Sequence, residues 1–111
     1  MRLEIRGLNL TLSDTMIEHV QRRLDAALDR FESRIREVRV RISDVNGRKR
    51  GVDKRCLVEV LFNSGDTAVV DETGSDVYAV IDDVATRLKT IVLRHLTKRR
   101  SIARHRRVMA A

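Results

Sequence analysis

Cys56-Leu57-Val58-Glu59-Val60-Leu61-Phe62-Asn63-Ser64-Gly65-Asp66-Thr67-Ala68-Val69-Val70-Asp71-Glu72 reads as strand, turn and returning strand. Cys56, Val58, Val60 and Phe62 alternate with Leu57, Glu59 and Leu61, the period of two that puts one side of a strand against a core. Asn63-Ser64-Gly65-Asp66 has the composition of a hairpin turn. Thr67–Glu72 returns, and Gly74-Ser75 breaks it. A hairpin with one apolar face cannot stand alone, so the flanking chain must supply more strands and a covering layer.

Both flanks do so. Upstream, Val38, Val40 and Ile42 alternate with Arg39, Arg41 and Ser43, a second strand. Leu3 and Ile5 alternate with Arg2, Glu4 and Arg6, a first strand that Gly7 is expected to end. Between these two, Ile17, Val20, Leu24, Ala27, Leu28 and Phe31 recur at steps of three and four. They predict an amphipathic helix over residues 14–34, with Ser13 as its N-cap and Asp14 at the positive end of its dipole. Downstream, Val77, Val80, Ile81, Val84, Leu88, Ile91 and Val92 predict a second helix from Asp76 to Arg99. The order β-α-β-β-β-α specifies an α+β two-layer sandwich, a four-stranded sheet with two helices on one face. The β-α-β opening should make its two strands parallel, with a right-handed crossover.

With 111 residues the chain is expected to form one domain over about residues 1–100. Residues 101–111 carry Arg104, Arg106 and Arg107 with few large apolar residues; this basic tail is expected to be disordered or a frayed helical extension. No segment has the ~20 apolar residues of a membrane span and the start does not resemble a signal peptide, so a cytoplasmic protein that avoids membranes is expected. A single cysteine, Cys56, excludes an intramolecular disulfide and a CxxC metal site. It follows a basic pair but reads better as a small buried hydrophobe. The only aromatics besides histidine are Phe31, Phe62 and Tyr78, too few for a base-stacking platform.

Charge is segregated. Asp83 is the last acidic residue; beyond it come nine basic ones, while residues 1–83 hold 14 Lys/Arg against 16 Asp/Glu. The final 28 residues are therefore +9 and the rest −2, which together give the net +7. A fold does not need this division, whereas a phosphate-rich partner would explain it. Arg23, Arg30 and Arg34, spaced seven and four apart, are expected to share one flank of the first helix. Arg87, Arg94 and Lys98 repeat that spacing on the second. Two basic ridges in one layer could straddle a phosphate backbone; two ordinary solvated faces would show the same spacing. The loop Asn46–Arg55 offers Arg48, Lys49, Arg50, Lys54 and Arg55 as further contacts, or simply as exposed charge. Arg2, Arg6, Arg39 and Arg41 are expected on a solvated sheet face. His19, His95 and His105 lack ligand spacing, and Asp82-Asp83 suits an early helix turn better than acid–base work. With no phosphate loop, catalytic triad or metal cluster, no enzyme and no cofactor are expected.

Asp76-Val77-Tyr78-Ala79-Val80-Ile81-Asp82 resembles the D-x-Y-x-x-I-D opening of the last helix in short ribosome hibernation-promoting factors, also called ribosome-associated inhibitor A or sigma-54 modulation proteins. The element order, the Ser13 helix start and the Gly65 hairpin are similar too, and the resemblance spans about residues 1–100. It implies a factor that lodges in the decoding channel of the small ribosomal subunit, where mRNA and the A- and P-site tRNAs sit. There it would inhibit translation by contacting rRNA through basic residues of both helices. On this chain those positions are Arg23 on the first helix and Arg87, Arg94, His95, Lys98 and Arg100 on the last, with Arg99 beside them. Ala26 stands where relatives often carry lysine, and Thr90 where arginine is frequent. A second, dimerising domain is not expected, and with it the long ribosome-dimerising form of the family; a monomer is expected. The alternative is a DNA-binding or sigma-factor-linked transcription modulator, although three strands separate the two helices and no helix-turn-helix is visible.

Overall fold

The structure, a computed structural model, describes residues 1–45 and 53–110, with side chains through residue 98. Its elements are β1 (Arg2–Leu8), α1 (Asp14–Leu28), a 3-10 segment (Asp29–Arg34), β2 (Ile35–Asp44), β3 (Lys54–Phe62), β4 (Thr67–Gly74) and α2 (Val77–Ala110). The sheet order is β1-β2-β3-β4, with β1 parallel to β2 and the other pairs antiparallel. This is the expected α+β sandwich.

Register explains the core. Three rungs cross the covered face: Leu3-Val38-Val60-Ala68, Ile5-Val40-Val58-Val70 and Gly7-Ile42-Cys56-Glu72. Val38, Ile42 and Val60 are fully buried there. Val20, Leu24, Leu28, Val80, Ile81, Val84, Leu88 and Val92 come down on them from the helices in one continuous cluster. Among the described residues no polar or charged side chain is buried. Leu88 is fully covered, so Leu88→Ala should cost about 2–5 kcal/mol.

Two boundaries differ from the sequence expectation. Gly7 does not end β1; it pairs with Ile42 and the strand runs on to Leu8. Its missing side chain serves a close approach instead: a Cβ there would lie 2.4 Å from the Leu10 carbonyl oxygen. The chain reverses at Asn9, whose φ of 57° is a left-handed conformation that asparagine tolerates. The first helix also stops being α-helical at Leu28, and Asp29–Arg34 tightens to 3-10. That turn tucks Phe31 into the core. It also places the Arg34 and Ser33 carbonyls where the hairpin's Asn63 donates to both, at 3.0 Å from its amide and 2.8 Å from its side chain. Ser13 caps α1, its hydroxyl accepting from the Met16 amide.

The hairpin is closed by the Phe62 amide donating to the Asp66 carbonyl, with Gly65 at φ 94°. Asp76 opens α2 by accepting from the Tyr78 amide through Oδ1. The helix backbone continues through Ala110, past the expected end at Arg99. Its 34 residues span about 50 Å, against roughly 33 Å for the ten-residue β2, so α2 outruns the sheet it covers.

Candidate nucleic-acid interface

The two helices lie side by side, and small residues line their seam. Ala26 and Ala27 of α1 face Ala85, Thr86 and Thr90 of α2, leaving an open groove of about 350 Å³ with Arg23 on one wall and Lys89 on the other. A second shallow groove of about 240 Å³ lies along α2 between Thr86 and Thr90 and the side chains of Arg87, Ile91 and Arg94. The threonine hydroxyls donate to carbonyls of their own helix, Thr86 to Asp82 and Thr90 to Thr86. The side-chain donors left in both grooves are therefore cationic. Ala26 and Thr90 both border the first groove.

The D-x-Y-x-x-I-D stretch now has a physical reading. Asp76 caps the helix, Ile81 is buried, and Tyr78 meets the His19 ring edge-on at 5.2 Å. Asp82 Oδ1 receives two α1 side chains, His19 Nε2 at 2.8 Å and Arg23 Nε at 3.0 Å. Each of the motif's fixed positions thus either starts α2 or ties it to the rest of the fold.

The expected basic ridges fare differently. Arg23 sits on the groove wall. Arg30 and Arg34 fall in the 3-10 segment, which turns 120° per residue where an α-helix turns 100°. At Arg30 the offset from the α-helical register is only about 40°, but by Arg34 it is roughly 120°, so Arg34 does not continue Arg23's flank. Both are exposed, and the Arg30 guanidinium lies 5.4 Å from the centre of the Phe31 ring. On α2 the register is unbroken, and Arg87, Arg94 and Lys98 are all exposed along one flank. Arg87 pairs with Glu72, the outermost residue of the third sheet rung. Arg94 and Lys98 have no acidic partner among the described residues. His95 is largely covered, stacked on Phe62 at 4.4 Å with Nε2 3.4 Å from Asp66. The side chains of Arg99 and Arg100 lie outside the described residues, as do Arg48, Lys49 and Arg50.

Lys54 and Arg55 need correction: they are not loop residues but the first two of β3. Strand pairing brings Lys54 opposite Asp44, which its ammonium meets at 3.1 Å, with Asp53 at 3.2 Å. Arg55 makes a two-pronged contact with Asp71 at 2.9 and 2.6 Å. Each hydrogen-bonded carboxylate holds its cation above the usual value, and Arg55 in turn holds the Asp71 carboxyl below its own. Lys89 is a groove residue that the sequence alone does not single out. The helical stripe shows that it is off the core, but not that its flank faces α1.

The outer sheet face is solvated as expected, and most of its arginines pair with carboxylates of the same face. Arg6 meets Glu4 at 2.5 Å, Arg39 meets Glu37 at 3.2 Å and Arg41 meets Glu59 at 3.8 Å. Cys56 points the other way and is fully buried; burial foremost, and then the Asp71 charge, push its thiol up to about 12. It is no nucleophile. Among the described residues no cluster of His, Cys, Asp or Glu could hold a metal ion, and no helix is long and apolar enough to cross a membrane.

Comparison with known proteins gives a consistent answer. The family model described as "Sigma 54 modulation protein / S30EA ribosomal protein" matches residues 3–100. The N-terminal domain of Protein Y from Thermus thermophilus is similar at 29% identity with a TM-score of 0.70, over 86% of this chain and 99% of that one. A ribosomal subunit interface protein from Coxiella burnetii shares the fold at a TM-score of 0.73 and 17% identity, over 87% of this chain and 99% of that one. No curated protein sequence matches.

Proposed function

This chain belongs to the Sigma 54 modulation protein / S30EA ribosomal protein family, a ribosome-associated family, and from that premise we propose that it silences translation by occupying the decoding channel of the small ribosomal subunit. Its helix layer lies against rRNA, with Arg23, Lys89, Arg94 and Lys98 meeting phosphates across and beside the seam. The action is occlusion held by charge, with no bond made or broken, and it takes place in the cytosol where ribosomes work. The observation that carries this reading is the asymmetry of pairing. On the sheet's outer face Arg6, Arg39, Arg41 and Arg55 each meet a carboxylate of the same face, whereas α2 beyond Asp83 has cations and no acids.

Sedimentation with purified small subunits in a salt series tests it. With about 6–10 phosphate contacts, affinity should fall by about 10³–10⁵ between roughly 50 and 200 mM salt. An affinity flat across that range would remove the electrostatic mechanism. Retention on promoter DNA without association with ribosomes would favour transcription control instead.

A further inference from the structure

We infer that Asp82, an acidic residue in the middle of a basic interface, is the positioning residue for Arg23, holding its guanidinium ready for a backbone phosphate. The inference rests on the proposed rRNA contact. His19 and Arg23 are four apart on α1 and therefore neighbours on one face. Both reach across the seam to the same Asp82 oxygen on α2, at 2.8 and 3.0 Å. The two contacts differ in kind. His19 Nε2 makes a directed hydrogen bond to the carboxylate, so that nitrogen carries the proton. Arg23 Nε approaches off its N–H axis; it is buried without a hydrogen-bond acceptor, so the attraction is one of charge and spends no donor.

What remains open follows from this. The Arg23 side chain is 40% exposed while its Nε is covered, so the polar part facing solvent is the pair of terminal nitrogens, on the wall of the groove shared with Lys89. These are the nitrogens that recognise a phosphate in two-pronged fashion. An arginine on its own must give up side-chain freedom when it binds; one already held at Nε gives up less. Asp82 is itself held: His19 fixes its oxygen, and Tyr78, set by the first turn of α2, lies edge-on to His19. The helix pair does not need this contact to assemble, because Val20, Leu24, Val80, Ile81 and Val84 already join the helices to the buried cluster.

The sign of one substitution decides the matter. A carboxylate that acts only as a charge repels rRNA, and removing it would tighten binding. A carboxylate that positions Arg23 weakens binding when removed. Asp82→Asn, Arg23→Ala and the double variant, made in the full chain, are titrated against purified small subunits at one fixed salt concentration. Arg23→Ala should weaken binding about tenfold, the scale of one hydrogen bond to a charged group. Asp82→Asn should lose most of that factor, and the double variant should be no weaker than Arg23→Ala alone. His19→Ala, which keeps the carboxylate charge but frees its position, should give a smaller loss that vanishes in the Arg23→Ala background, and it stands in if Asp82→Asn melts early. Tighter binding by Asp82→Asn, or losses that multiply in the double variant, would overturn the positioning role alone. Wild-type affinity in Arg23→Ala would overturn the groove contact, and the inference with it.

Discussion

The two exposed surfaces of this molecule carry similar residues and opposite electrostatics. The outer sheet face has Arg2, Arg6, Arg39, Arg41 and Arg55 beside Glu4, Glu37, Glu59 and Asp71. Strand pairing sets residues about 5 Å apart across each rung, so Arg39 lies between Glu4 and Glu59, with Glu37 two residues away along β2. Its guanidinium is held above its usual value first by the Glu37 hydrogen bond and then by these charges. On α2 the spacing is equally regular, but the acids end at Asp83 and, among the described residues, no acid meets Arg94 or Lys98. The lesson is that formal charge does not mark a binding surface; cationic donors left open do. A lattice of its own ion pairs must be broken before such a face can bind a polyanion, at a cost that offsets the gain.

A double charge reversal on α2 should have the largest effect. Arg94→Glu with Lys98→Glu should lower affinity for small subunits at least about 100-fold, from two lost phosphate contacts and two added repulsions, with little change in melting temperature because both side chains are exposed. Binding that survives would place the interface elsewhere; unfolding would make these residues structural.

Removing residues 101–111 extends the contrast to the end of the helix. If Arg104, Arg106 and Arg107 add to the helix-layer charge, the truncated chain should bind about tenfold more weakly and show a shallower salt dependence, while melting as before. A large fall in melting temperature would mean that the segment packs on the core.

Cys56 reports which side of the sheet is covered. The native thiol should resist alkylation at neutral pH, and a Val69→Cys probe on the open side, 53% exposed, should react freely. The raised thiol value also has a sign. Stability from keeping Cys56 protonated is complete below about 9 and is lost as pH climbs toward about 12. Urea midpoints should therefore fall over that window, and less steeply in Cys56→Ala.

The smallest effect belongs to the sheet face. Arg39→Ala with Arg41→Ala removes two positive charges, as a neutral pair on α2 would, yet should change subunit affinity less than about threefold because both arginines already have partners. A loss equal to that of Arg94→Ala with Lys98→Ala would show that total charge, not pairing, governs binding.

Much of this was legible in the chain. Alternation at Val38–Ile42 and Cys56–Phe62 and the three-and-four steps of α1 and α2 named nearly every core residue, because one-sided burial imposes the period of the element itself. The Asn63–Asp66 turn was equally plain. The site was read less fully. The α2 flank keeps its expected geometry because its helix is regular; on α1 Arg34 leaves the expected flank, because Phe31 and the Asn63 contacts tighten the chain after Leu28.

Element order, buried faces and the segregation of charge follow from the order of residues along the chain, because each is set by neighbours a few positions apart. Which cations are free depends instead on how the elements pack. Lys54 is neutralised by Asp44 through strand register, Arg87 by Glu72 through the docking of α2, and Arg23 is held by Asp82 across a helix seam. Lys89 joins the groove for the same reason. Each of these depends on contacts between separate elements, and an ion pair acts over a few ångströms whatever the separation in sequence.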